Sequence, residues 1–187
     1  MSAMVCAQLV GCAALSRDQT SSIARPARES IREFAIDGRI SVTRANERVQ
    51  ASIVWQHSAG ASDAIDVFSP VGGQMARLSS SPDGAQLVTA ERERVVAPTA
   101  EALSARLFGS PLPLTGMPDW VLGRAAGQPV SAQRDAVGRF EYLAEAGWVI
   151  RYLEYENGDA AALPRTMDFE RGDLRVRLRV DAWRIVE

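Results

Sequence analysis

From Phe34 onward, apolar and polar residues alternate in short runs separated by turn-forming residues. Phe34, Ile36, Ile40 and Val42 share one side of the first run, which Asp37-Gly38 interrupts. Val49, Ala51, Ile53 and Trp55 share one side of the second, against Gln50, Ser52 and Gln56 on the other. Ile65 and Val67 lead to a turn at Ser69-Pro70-Val71-Gly72-Gly73, after which Gln74 to Leu78 returns. Pro82-Asp83-Gly84 marks a hairpin before Ala85 to Thr89, and Ala146-Gly147 joins Arg139 to Leu143 with Trp148 to Tyr155. In the last run Leu174, Val176, Leu178 and Val180 alternate with Arg175, Arg177 and Arg179. A side-chain period of two places alternate residues on a core face and a solvent face, so the chain reads as mainly β, an antiparallel sheet.

Helical spacing occurs in two places only. Residues 27–34 (ARESIREF) set Ile31 and Phe34 about one turn apart, which predicts a short amphipathic helix before the first strand. In the middle, Thr99 can cap a helix through Leu107, with Glu101 in its first turn and Gly109 as its stop. Pro118 suits the first position of a second helix, which carries Asp119-Trp120-Val121-Leu122 and ends at Gly123. Pro111-Leu112-Pro113-Leu114 lies between the two. Short apolar helices inserted halfway along a sheet predict a curved sheet wrapped around them.

The beginning of the chain changes this picture. Its two cysteines, Cys6 and Cys12, both fall within the first twelve residues. Leu9-Val10-Gly11-Cys12 has the form cut by a lipoprotein signal peptidase, which predicts residues 1–11 as part of a signal peptide and Cys12 as a lipid-bearing N-terminus. Cleavage removes Cys6 and acylation consumes Cys12, leaving a thiol-free body suited to an oxidising compartment. Residues 12–28 then make a tether, and residues 29–187 one domain large enough for a real core. No apolar run reaches the roughly 18 residues that span a bilayer, so attachment is expected through acyl chains.

Net charge is −2, with the charges interspersed, which gives no sign of a nucleic-acid partner. All 21 basic residues are arginine, a pattern expected of a high-GC genome. His57 is the only histidine, placed after a strand ending at Trp55-Gln56, and no Gly-x-Ser-x-Gly elbow accompanies it. Asp159, Asp168 and Asp173 fall where turns or strand ends are expected, as solvated acids do. With one histidine and no thiol in the mature body, neither a metal site nor catalysis is expected, and no cofactor beyond the lipid on Cys12.

A succession of short motifs carries a family resemblance. Val54-Trp55-Gln56, Ser69-Pro70-Val71-Gly72, Pro111-Leu112-Pro113-Leu114, Trp120-Val121-Leu122-Gly123, Gly147-Trp148 with Tyr152, Leu163-Pro164, and the Arg175 to Trp183 run occur in that order behind the lipobox. Together they resemble the LolB family of outer-membrane lipoprotein receptors, over about 150 residues. The resemblance implies an incomplete, curved antiparallel β-barrel with helices covering a hydrophobic cavity. It implies a function too: accepting lipoproteins from the periplasmic carrier LolA and inserting them into the inner leaflet of the outer membrane. Ala13, which is not aspartate, fits outer-membrane sorting. The implied partners are a LolA-type carrier, lipoprotein acyl chains as cargo and outer-membrane phospholipid, with the protein acting as a monomer. A scaffold lipoprotein that binds another amphiphile, such as a glycolipid, or that serves outer-membrane assembly is the alternative.

Three groups of residues follow as candidates. Trp55, Trp120, Val121, Leu122 and Trp148 are candidates for the acyl-chain cavity and its lid, or equally for core aromatics of a small barrel. Val71, flanked by Pro70 and Gly72, occupies the position where the resemblance implies an exposed apolar residue, usually leucine, that delivers cargo to the membrane. It could instead fold back onto the sheet, although β-branched residues make poor turns. Arg175, Arg177 and Arg179 read as a solvated outer face, or as a docking stripe for an acidic carrier rim or lipid phosphates.

Overall fold

The computed structural model describes residues 27–186. Six strands run as a meander: β1 (Glu33–Arg44), β2 (Glu47–Ser58), β3 (Ser62–Phe68), β4 (Gln74–Ser81), β5 (Gly84–Thr89) and β6 (Arg94–Ala97). Two helices follow, α1 (Ala100–Phe108) and α2 (Met117–Val121). Five more strands complete the chain: β7 (Ser131–Arg134), β8 (Phe140–Glu145), β9 (Trp148–Tyr155), β10 (Pro164–Arg171) and β11 (Leu174–Val186). All eleven join one antiparallel sheet in the order β6-β5-β4-β3-β2-β1-β11-β10-β9-β8-β7. The sheet does not close into a barrel, because β6 and β7 are its two edges.

That strand order dictates where the helices go. Residues 98–130 connect one edge of the sheet to the other, so they must cross one of its faces. Helix α1 packs on β4, β5 and β6. At α2 the Trp120 indole lies 6.3 Å from the Phe169 ring of β10. The Tyr152 hydroxyl of β9 donates to the Trp120 carbonyl at 2.9 Å. One face of the sheet thus contacts helices at both ends, as a sheet curled around them must. The alternating apolar residues named from the sequence, from Phe34 in β1 to Val180 in β11, form its inner face, all buried except Val49, which is half-buried at its margin.

Local chemistry explains most element ends. Thr99 Oγ1 accepts from the Ala102 amide at 3.4 Å, and Gly109 turns left-handed at φ 70°, so α1 runs as its caps require. Asp37-Gly38 does not interrupt β1. Gly38 pairs with Val180 and Asp37 with Ala182, leaving Asp181 as an extra residue in β11. A Cβ on Gly38 would sit 2.6 Å from the Arg179 carbonyl oxygen, so the bulge requires glycine on the facing strand.

The expected helix over 27–34 is not formed. Only Arg28–Ser30 turn, as a 3-10 helix, and the chain is extended from Glu33. Phe34 is paired on both sides, with His57 of β2 and Ile185 of β11, and these long-range ladders override the local spacing. The Arg124 guanidinium further fixes the entry by donating to the carbonyls of Arg28 and Ile31, at 2.8 and 3.0 Å. Strands β6, β7 and β10 complete the sheet where the alternation of the sequence predicts none.

Candidate functional site

Between α1 and the sheet lies a cavity walled only by apolar side chains. Ile40, Ile53, Trp55, Ile65, Val67 and Leu78 line it from the strands, and Leu107, Phe108, Leu112, Leu114 and Met117 from the helical segment. Its volume is about 20 Å³, room for about one water molecule. As it stands the cavity is far too small for an acyl chain.

That segment is held by a few polar contacts rather than by extensive ladders. Thr115 donates to Glu101 Oε1 from its amide at 2.7 Å and from its hydroxyl at 2.6 Å. Ser104 Oγ accepts from the Leu112 amide at 2.9 Å and donates to the Glu101 carbonyl at 2.8 Å. The Pro-Leu-Pro-Leu loop is thus tied to α1 at both its ends, and the two together cover the cavity.

Trp55 belongs to this cavity, and its Nε1 donates to Asp63 Oδ1 at 2.7 Å. Trp120, Val121, Leu122 and Trp148 are all buried but lie outside its lining, the first three in α2 and at its end and the last at the start of β9. Trp120 is anchored there by Nε1 donating to Glu145 Oε2 at 2.8 Å, and Arg171 lies over the Trp148 ring at 4.7 Å. On the helical side the cavity is lined by Leu107, Phe108, Leu112, Leu114 and Met117. For Leu112 and Leu114 the signal in the sequence is a leucine after each proline of the loop, which no turn needs.

Val71 stands at the tip of the β3–β4 loop with 95% of its surface exposed, so it does not fold back on the sheet. The tip is firmly built. Ser69 donates to the Gly73 carbonyl at 2.8 Å, Gly72 donates to the Ser69 carbonyl at 2.9 Å, and Gly72 has φ 96°, which glycine adopts freely.

Arg175, Arg177 and Arg179 lie on the outer face, each beside an acid. Arg175 meets Glu170 at 2.7 Å and Arg177 meets Asp168 at 2.6 Å. Arg179 lies 3.6 Å from Asp181 and 3.9 Å from Glu154. Asp168 is not a solvated acid at a strand end. It sits within β10 at 4% exposure, under Arg177, and its hydrogen bonds hold the guanidinium pKa above the ordinary value. Nor does β2 end at Gln56, for His57 is inside it, with Nδ1 2.8 Å from Asp63 Oδ1.

Among the described residues no cluster of histidine, cysteine, aspartate and glutamate could hold a metal ion. No helix among them is long and apolar enough to cross a membrane. Cys6, Cys12 and the signal and tether residues before 27 lie outside the described residues.

The family model for outer membrane lipoprotein LolB matches residues 32–183. An outer-membrane lipoprotein LolB from Azoarcus sp. (strain BH72) is 40% identical over 86% of this chain and 82% of its own. Another, from Nitrosomonas europaea, is 34% identical over 94% of this chain and 87% of its own. The fold is similar to that of a LolA superfamily protein from Nitrosomonas europaea, with a TM-score of 0.52 and 10% identity over 86% of this chain and 90% of that one. An open antiparallel sheet curled over an apolar cavity, an exposed valine at a loop tip and these matches along most of the sequence place the chain in the outer-membrane lipoprotein LolB family.

Proposed function

We propose that the protein, anchored through a lipid on Cys12 and facing the periplasm, receives lipoproteins from a LolA-type carrier and releases them into the inner leaflet of the outer membrane. The observation that carries this reading is the all-apolar cavity under a cover tied down by few polar contacts. Each methylene of an acyl chain left in water costs about 0.8 kcal/mol, so a transferred chain must pass from one apolar enclosure to the next. No bond is made or broken in such a handover. It needs only a cover that yields and an affinity between those of carrier and bilayer.

Val71 gives the release step a direction. An exposed valine at a rigid tip is costly in water and favourable in a bilayer, so the protein meets the membrane at this loop. The deciding experiment mixes the 187-residue chain, made without export so that Cys12 carries no lipid, with a LolA-type carrier loaded with radiolabelled lipoprotein. Label is expected to move to this protein and not back. Label that stays on the carrier, while this protein still binds free lipid, refutes the acceptor role.

A further inference from the structure

We propose that a groove of arginines on the outer face, beside the Val71 loop, binds the phosphates of anionic phospholipid headgroups when the protein meets the membrane. The proposal rests on the reading of Val71 as the membrane-facing tip. The groove, of about 390 Å³, is lined by Arg39, Arg48, Arg177 and Arg179, and Pro70 of the β3–β4 loop forms part of its wall. Pro70 is adjacent in sequence to Val71, so the basic groove and the apolar tip share one side of the molecule.

The arrangement of these guanidinium groups serves the fold poorly. Arg39 and Arg179 are direct partners across β1 and β11, and like charges set opposite each other destabilise a sheet. Asp181 offsets this in part, bonding Arg39 Nε at 3.0 Å and Nη2 at 2.7 Å. Among the described residues Arg48 has no acid partner, and its Nε donates to the Ser41 hydroxyl at 2.9 Å. Asp168 and Asp181 grip Arg177 and Arg39 each through Nε and Nη2, which fixes the side chains and leaves the Nη1 edge of each free to donate. Arg177 is still half exposed, while the Asp168 beneath it is buried. Asp168 is recessed beneath Arg177, Asp181 lies at the surface beside Arg39, and the guanidinium donors face out. Fixed guanidinium groups with free edges suit phosphate oxygens, which take charge-assisted hydrogen bonds without further ordering of the side chains.

A membrane fits better than an acidic protein rim because of what stands next to the groove. Interfacial proteins combine an inserted apolar residue with basic residues near the headgroups, and one valine alone gives weak attachment. The outer-face arginines supply the second element at the place where the first is presented.

The test is flotation of the unacylated 187-residue chain with vesicles of phosphatidylethanolamine alone or mixed with phosphatidylglycerol. Phosphatidylglycerol is expected to strengthen binding, and added salt to weaken it. Arg48→Gln, which breaks no ion pair, should lower affinity for the mixed vesicles about five-fold and leave binding to phosphatidylethanolamine nearly unchanged. Arg48→Lys should keep most of it. Wild-type binding indifferent to phosphatidylglycerol, or Arg48→Gln binding like wild type, overturns the proposal. So does a variant that loses only its complex with the carrier protein, since the groove then faces a protein. Val71→Glu separates the two readings. If it binds and delivers normally while Arg48→Gln does not bind, the tip reading fails and the groove stands; the reverse result removes the groove alone.

Discussion

Thr115 places both its amide and its hydroxyl on one oxygen of Glu101, across the gap between the Pro-Leu-Pro-Leu loop and α1. This pair fastens the cover over the apolar cavity. Hydrogen bonds to a charged group contribute about 1.5–3 kcal/mol when buried, and the exposure of Glu101 reduces that to about 1 kcal/mol. Glu101→Ala and Thr115→Val should each lower Tm by about 2–4 °C and speed hydrogen exchange at the Leu112 amide. The double variant should add little to either single one. Unchanged exchange at Leu112 would mean that the cover is held by packing instead.

At the β3–β4 tip, Val71→Glu should fold as wild type does and still take lipoprotein from the carrier, because the side chain touches little of the protein. Delivery to vesicles should disappear. Val71→Leu adds one methylene, worth about 0.8 kcal/mol of insertion, and should strengthen vesicle binding about four-fold. A reconstituted transfer assay with both variants checks the pair, and normal delivery by Val71→Glu refutes the role.

Glu145 lies at 5% exposure and accepts from Trp120 Nε1 at 2.8 Å and from the Ala126 amide at 3.0 Å. Removing it orphans two donors, one of them on a buried indole. Glu145→Ala should therefore cost about 2–4 kcal/mol in urea unfolding, and Glu145→Gln, which keeps an acceptor, distinctly less. Equal losses for the two variants would show that charge, rather than the hydrogen bonds, is what α2 depends on.

Burial pushes the Tyr155 phenol up to about 12, and burial likewise holds Tyr152 well above its ordinary value. Both phenols are thus kept neutral by folding. Their contribution is fully present below the unfolded phenol's pKa of about 10, and it is lost as pH rises from there toward 12. Urea midpoints should fall across that window, and Tyr155→Phe should shallow the fall. A midpoint that stays flat through it contradicts the assignment.

The sequence was most legible where one face of a strand is buried and the other is wet. Leu174, Val176, Leu178 and Val180 declare β11 because arginines separate them, and Val49 to Trp55 declare β2 in the same way. In β10, Met167, Asp168 and Phe169 are all buried, Asp168 by a guanidinium from the neighbouring strand, so no period of two survives. The edge strand β7 is exposed at every residue and has no pattern to read. The site divides similarly. Val71 stood out as an apolar residue where turn chemistry does not want one. The tie between Glu101 and Thr115, and the pairing of Arg39 with Arg179, exist only once distant segments meet.

The pairing of β1 with β11 at the middle of the sheet carries a consequence for how the chain is made. The first strand to emerge from the ribosome or the translocon has its second partner at the opposite end of the sequence. Residues 33–97 and 131–171 can zip locally into two meanders, but the seam between them closes only after Leu174–Val186 is delivered. Such non-local pairing is slow, and until it forms β1 presents an unpaired edge beside exposed Phe34, Ile36 and Ile40. The last thirteen residues of the sheet are therefore the clasp of the whole protein. A chain truncated before Leu174 should accumulate as two half-sheets prone to pair with other chains, rather than as a weakened receptor.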